Sequence, residues 1–199
     1  MIRFLSLLFV LCASIGRADS FPALFDVTGV ASDDVLNVRS DASGASDIIG
    51  TLSHQQADVE IIAINDTGTW GQVNAGERSG WVSMRFLKRQ IDNPDYLLAR
   101  GFACFGTEPF WSLDVTQGQQ AQFSEMAEPD TQHPAGLMFR SHNHPGRYAI
   151  RFAESSAVLS QEACNDGMSD RDYGLAVDVL YHNEGETALL SGCCSLTSY

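Results

Sequence analysis

The sequence predicts an all-β protein: a small N-terminal barrel followed by a second antiparallel β domain stapled by disulfides. Three observations lead there. Apolar residues alternate in short runs, and turn residues interrupt them about every ten positions, the pattern of half-buried strands. No long amphipathic helix is legible after the first twenty residues. Beyond Cys12, the cysteines are Cys104, Cys164, Cys193 and Cys194, all in the second half, so the two halves differ in chemistry.

The chain opens MIRFLSLLFVLCASIGRADS. Arg3 precedes an apolar run from Phe4 to Cys12, and small residues follow. This is the layout of a secretory signal peptide over residues 1–18, with Gly16 and Ala18 meeting the small-x-small rule and Asp19 as the expected mature start. The run is too short to span a bilayer as a helix. Leu11 before Cys12 argues against lipidation at that cysteine, because a small residue normally stands there. The protein is therefore expected in the periplasm or outside the cell, where disulfides persist.

The formal charge is −13, and the signal carries Arg3 and Arg17 without an acid, so the mature chain stands at about −15 by the same count. Bulk electrostatics will not hold such a chain to nucleic acid or anionic lipid. No later segment is long and apolar enough to cross a membrane as a helix.

Residues 23–90 form the first predicted domain. FDVTGVA, LNVRS, IIGTL, ADVEIIAIN, WGQV and GWVSM read as strands. SDD, DASGASD, DTG and NAGERSG read as the connections between them. A barrel of this length has a thin core, filled by a few large residues. Leu36, Val38, Ile49, Val59, Ile61, Ile62, Val73, Val82 and Leu87 are the candidates. Trp81, after Gly80, is expected to be at least half buried, whereas Trp70, after a turn, is the better candidate for an exposed platform. Arg39 reads as a salt-bridging or capping residue.

LNVRSDASGASDIIGTL, DVEIIAINDTGTWGQV and SGWVSMRFL together resemble a bacterial SH3-like (SH3b) domain. That family shows a Leu-Asn-Val-Arg strand, a Gly-rich loop, a Gly-x-Trp-x-x-Val turn and a late Gly-Trp-Val strand. All four occur here in order, with Asp41-Ala42 where the family often carries Gly-Pro. The resemblance implies a small barrel associated with peptide or cell-wall material.

IDNP separates this segment from a second domain over residues 91–199. CFGTEPFWSLDV, AQFSEM, AIRFAES, AVLSQEAC, LAVDVLYH and ALLSGCCSL alternate as strands, and EPDTQHP, HNHPGR, NDGMSD and NEGE supply turns, which reads as one antiparallel meander or barrel. Four cysteines allow three pairings. A Cys193–Cys194 bridge would be a strained vicinal bond. That leaves Cys164–Cys193 with Cys104–Cys194, the pairing preferred here, or the same with Cys193 and Cys194 exchanged. Closing the 164-to-193 loop contributes roughly 3–4 kcal/mol in the loop-entropy model. No Cys-x-x-Cys pattern suggests redox chemistry. Gly106, Glu108, Pro109 and Trp111, then Cys164 with Met168-Ser169-Asp170 and Tyr173, then Gly192-Cys193, resemble a family of exported bacterial proteins and lipoproteins without an assigned activity. Thr107 replaces that family's Asn, and Gly174 its Pro.

Few constellations offer chemistry. His142 and His144, in SHNHPGRY, have the spacing of a metal-binding pair. Catalytic zinc needs a third protein ligand, and Ala157 to Gln161 supplies no carboxylate. Glu108 is a candidate acid or base without a placed partner among Asp114 and Asp170. No nucleophile elbow, phosphate loop or calcium-loop spacing occurs. The reading is an exported binding protein and not an enzyme, with no cofactor, no metal and no catalytic residue. Its ligand is a peptide or peptidoglycan fragment, met by Trp70 with Asn37, Asp34 and Trp81. The alternatives are an envelope inhibitor or stress protein that binds another exported protein, and a metal-dependent hydrolase using His142 and His144.

Overall fold

A computed structural model describes residues 20–91, 95–126, 129–183 and 185–197. The expected signal peptide and most of the IDNP connector lie outside the described residues. Described secondary structure is β throughout, apart from one 3-10 turn at Met84–Phe86.

The first half contains β1 (Ala23–Val27), β2 (Val35–Arg39), β3 (Ile48–Ser53), β4 (Val59–Ile61), β5 (Ala63–Ile64), β6 (Trp70–Ala75), β7 (Arg78–Ser83) and β8 (Leu87–Arg89). They make a three-stranded sheet, β4-β1-β8, and a five-stranded sheet, β3-β2-β7-β6-β5. The long strand read in ADVEIIAIN is two short ones, because the chain turns at Ile62 from pairing with β1 to pairing with β6. That bend carries one run of chain through both sheets. Ala23, Phe25, Val27, Leu36, Val38, Leu52, Val59, Ile61, Val73 and Val82 fill the space between the sheets. Ile49 and Leu87 pack at its margin.

The second half contains β9 (Gly101–Thr107), β10 (Phe110–Thr116), β11 (Gln120–Glu125), β12 (Thr131–Pro134), β13 (Phe139–Arg140), β14 (Arg147–Phe152), β15 (Ser155–Cys164), β16 (Tyr173–Asn183) and β17 (Glu186–Thr197). They form one antiparallel sheet in the order β12-β11-β10-β9-β17-β16-β15-β14-β13. Part of the expected EPDTQHP turn is strand β12, recruited by pairing with β11. The sheet curls until its far ends meet: Ala135 bridges Phe152, and the Gly136 N–H donates to the Arg151 carbonyl at 3.0 Å. Strand alternation then sends one face inward. Phe102, Leu113, Ile150, Phe152, Leu159, Leu175 and Val179 are buried inside the curl.

The first and last strands of this sheet are neighbours, and Cys104 stands opposite Cys194 in their ladder. The disulfides are Cys104–Cys194, within the core, and Cys164–Cys193. Successive residues of a strand point to opposite faces, so Cys194 goes inward to Cys104 and Cys193 outward to Cys164.

Trp111 is 4% exposed and lies against two glycines. A Cβ at Gly106 would strike its indole nitrogen. A Cβ at Gly192 would strike the Phe105 carbonyl and lie 3.0 Å from Trp111 Cζ2. The glycines of GTEPFW and GCC therefore give the indole room.

The halves dock through the NDGMSDRD loop. Asp166 orders it, accepting the N–H groups of Met168 and Ser169, both at 2.9 Å. Burial pushes the Asp166 carboxyl up. The N–H groups of Ser169 and Met168, with the Ser169 and Tyr173 hydroxyls, outweigh that and hold it below the usual range. The Asp170 N–H donates to Glu77 and its carbonyl accepts from Ser79, so the loop extends the β6–β7 hairpin. Arg171 donates to the Gly76 carbonyl at 2.6 Å and pairs with the Glu77 carboxylate at 3.1 Å. Pro22 packs over Gly174, where a Cβ would lie 2.9 Å from the proline ring.

Glu60, on β4, faces β17 and accepts the Leu196 N–H at 2.9 Å. Asp58, Arg171 and Tyr173 share its cleft. Burial pushes the Glu60 carboxyl up to about 7, against the lowering effect of bonds from Leu196 and Ser195. The folded chain then keeps a proton that the unfolded chain releases nearer 4.5. Glu60's contribution is therefore full below pH 4.5 and is lost as pH rises to about 7.

Between about pH 5 and about pH 8 the native protein should lose on the order of 1–3 kcal/mol that Glu60→Gln does not lose, read as the difference in urea midpoints. An identical pH dependence in both proteins would rule out the buried proton. Gly192→Ala should cost roughly 1–3 kcal/mol or more by overpacking. Gly44→Ala, where nothing lies within 4 Å, should stay within about 0.5 kcal/mol of the native chain.

Candidate functional site

The stretch TWGQVNAGERSGWV folds as the β6–β7 hairpin. Its two-residue turn uses Gly76 at φ +62°, a conformation that suits glycine in a tight hairpin. Along β6, Gly71 and Val73 are buried while Trp70, Gln72 and Asn74 take the other face. Along β7, Gly80 and Val82 are buried while Ser79, Trp81 and Ser83 take the other face. The glycines have a packing reason. A Cβ at Gly71 would lie 2.6 Å from Met84 Sδ, and one at Gly80 2.7 Å from both Ile49 and Val38. The core is too thin for anything larger beneath the sheet, so each Trp-Gly or Gly-Trp pair turns its glycine in and its indole out.

The register brings the two indoles together. Trp70 stands opposite Ser83, and Gln72 opposite Trp81, so the tryptophans are diagonal neighbours on one face. Arg39 is opposite Trp81 across the β2–β7 contact, and Asn37 lies two residues earlier on the same face of β2. Both tryptophans are partly buried to the same class, so Trp70 is not distinguished as the exposed one. Arg39 caps a loop, donating to the Ser46 carbonyl at 2.6 Å. Asp34 does not join the face: it is exposed in the turn before β2, and its carboxylate accepts the Val35 N–H at 2.8 Å.

The second half supplies the rim. The Asp172 carboxylate accepts from Gln72 Nε2 at 2.6 Å, and its carbonyl accepts from Asn74 Nδ2 at 2.9 Å. The Asp172 N–H donates to Ser79 Oγ at 2.8 Å. Gln72, Asn74, Ser79 and Asp172 are absent from the sequence-based site. The alternation around Trp70 was enough to put Gln72 and Asn74 beside it; nothing local pointed to Asp172.

The other candidates are scattered. His142 and His144 are both exposed in the loop between β13 and β14, where Ser141 Oγ accepts the N–H groups of Asn143 and His144. Among the described residues, no group of three or more His, Cys, Asp or Glu side chains is gathered for a metal ion. Glu108 is exposed in the turn between β9 and β10. Asp170 spends its backbone on docking, and Asp114 lies mid-strand in β10. The four cysteines form the two disulfides.

The arrangement offers two flat apolar surfaces flanked by amide and guanidinium groups, suited to stacking and hydrogen bonding. It holds no nucleophile–base pair. Compared with family models, curated proteins and solved structures, the chain matches none.

Acrylamide should quench Trp70 and Trp81 and leave Trp111 protected. A Trp70→Phe, Trp81→Phe double variant should accordingly retain only blue-shifted, poorly quenched emission. Efficient quenching of that residual emission would contradict the burial of Trp111.

Proposed function

We propose that the chain is an exported, non-enzymatic binding protein whose first half is an SH3-like domain recognising peptide or cell-wall material. The observation that carries this reading is the placement of Trp70 and Trp81 on one outer sheet face, beside Asn37, Gln72 and Arg39. Aromatic side chains with a polar surround are common anchors in recognition surfaces. Two disulfides fit an oxidising compartment outside the cytoplasm. Among the described residues no helix is long and apolar enough to cross a membrane.

A second reading, a protein partner in the cell envelope, has one observation in its favour. Beside the GTEPFW turn, Phe110 is 46% exposed and Met126 68% exposed, and with Phe105 they line an open apolar hollow. Such surface suits a protein contact.

Retention of the mature protein on purified peptidoglycan tests the first reading. Trp70→Ala and Trp81→Ala should each reduce retention by about tenfold or more, the loss typical of a buried aromatic anchor. Equal retention of both variants would remove this face from consideration. Loss of retention in Phe110→Ser, with both tryptophan variants retained, would instead move the peptidoglycan contact to the hollow beside the GTEPFW turn.

A further inference from the structure

A different part of the molecule holds a second candidate. Where the end of β8, residues 96–98 and the β13–β14 loop converge, the surface encloses a hollow of about 550 Å³. Arg89, Arg140, His144, Tyr96, Tyr148 and Gln161 are among the residues lining it, and among the described lining residues none is Asp or Glu. The chain has 25 acidic residues against 12 basic ones, so a hollow whose described lining holds two arginines and no acid runs against its overall charge.

The hollow is held open by bonds on its floor. Tyr148 donates its hydroxyl to Gln161 Oε1 at 3.1 Å, and Gln161 Nε2 donates to the Phe21 carbonyl at 2.9 Å. This chain of contacts ties β14 and β15 to the first half. Arg89 is positioned by its bond to the Ser20 carbonyl at 3.1 Å and by the Phe21 and Phe25 rings, 5.8 and 6.0 Å away. Arg140 stands directly opposite Tyr148 in the β13–β14 ladder. Burial pushes the Tyr148 hydroxyl up, and the Arg140 charge pulls it down. No carboxylate pairs with Arg140 among the described residues.

A guanidinium offers paired donors that match the oxygens of a carboxylate or a phosphate. The volume lies in the range of small-ligand pockets. We propose that this hollow binds a small organic anion, gripping its carboxylate or phosphate oxygens with Arg140 while Arg89, Tyr148 and Gln161 line the space around it. No lining residue comes from the sheet that bears Trp70 and Trp81, so the proposal stands apart from the peptide-binding face.

The test is an NMR titration of the disulfide-intact mature chain with three probes: N-acetyl-alanyl-alanine, its C-terminal amide, and inorganic phosphate. One or both anions should saturate, moving the Arg140, Tyr148 and Gln161 amide signals, and the neutral amide should not. Arg140→Gln should weaken that binding about tenfold or more, with thermal unfolding unchanged. Which anion binds more tightly separates a carboxylate ligand from a phosphate ligand. No saturation by either anion below about 10 mM, equal binding of the amide, or unchanged affinity in Arg140→Gln would each overturn the proposal. The signal shifts in the unsubstituted protein are a readout that depends on no variant.

Discussion

The alternation of side chains at Cys193 and Cys194 is the constraint on which most of the molecule depends. One strand cannot send both residues to the same face. Cys194 turns into the core and meets Cys104, fastening the last strand to the first strand of the curled sheet. Cys193 turns outward and meets Cys164, fixing the end of β15. The loop that starts at Asn165 is therefore anchored at its root. It reaches the β6–β7 hairpin with Asp170, Arg171 and Asp172 in position to bond. A pairing rule within one strand thus propagates to the contact between the two halves.

The first half works under a different limit. Its core is thin, and the outward tryptophans follow from that. Gly71 and Gly80 occupy inward positions where even a methyl group would collide with Ile61, Ile49 or Val38. The large aromatics adjoining them must face out. Once there, they sit partly buried among polar neighbours without enlarging the core. The same alternation that stabilises the sheet produces the candidate site.

Charge is distributed unevenly around this scaffold. The chain as a whole is strongly acidic, which favours solubility and disfavors contact with nucleic acid. Glu60 is partly buried between β4 and β17, where burial pushes its carboxyl up to about 7. Among the described residues, the hollow beside Arg140 has no acid in its lining. Each of these local environments departs from the bulk charge because elements distant in sequence were brought against one another: β4 against β17, and β8 with β13 and the loop that follows it.

The sequence by itself determined the β class, the short strands, a turn somewhere within NAGERSG and most of the first half's core. Those depend on local alternation and on residues that permit tight turns. It also limited the cysteines to two pairings, because adjacent cysteines bond to each other only under strain. Tertiary structure decided what local patterns cannot encode. The break at Ile62 arises because one run of chain serves two sheets. β12 is a strand because β11 offers it a ladder. Asp34, legible as a neighbour of the tryptophans, is turned away in its own turn. Asp172, a hundred positions from Gln72, lies at the edge of the tryptophan face because the outward disulfide and the docking loop deliver it there. Alternation is a property of one strand, whereas a site assembled from two sheets depends on which strands meet and in what register.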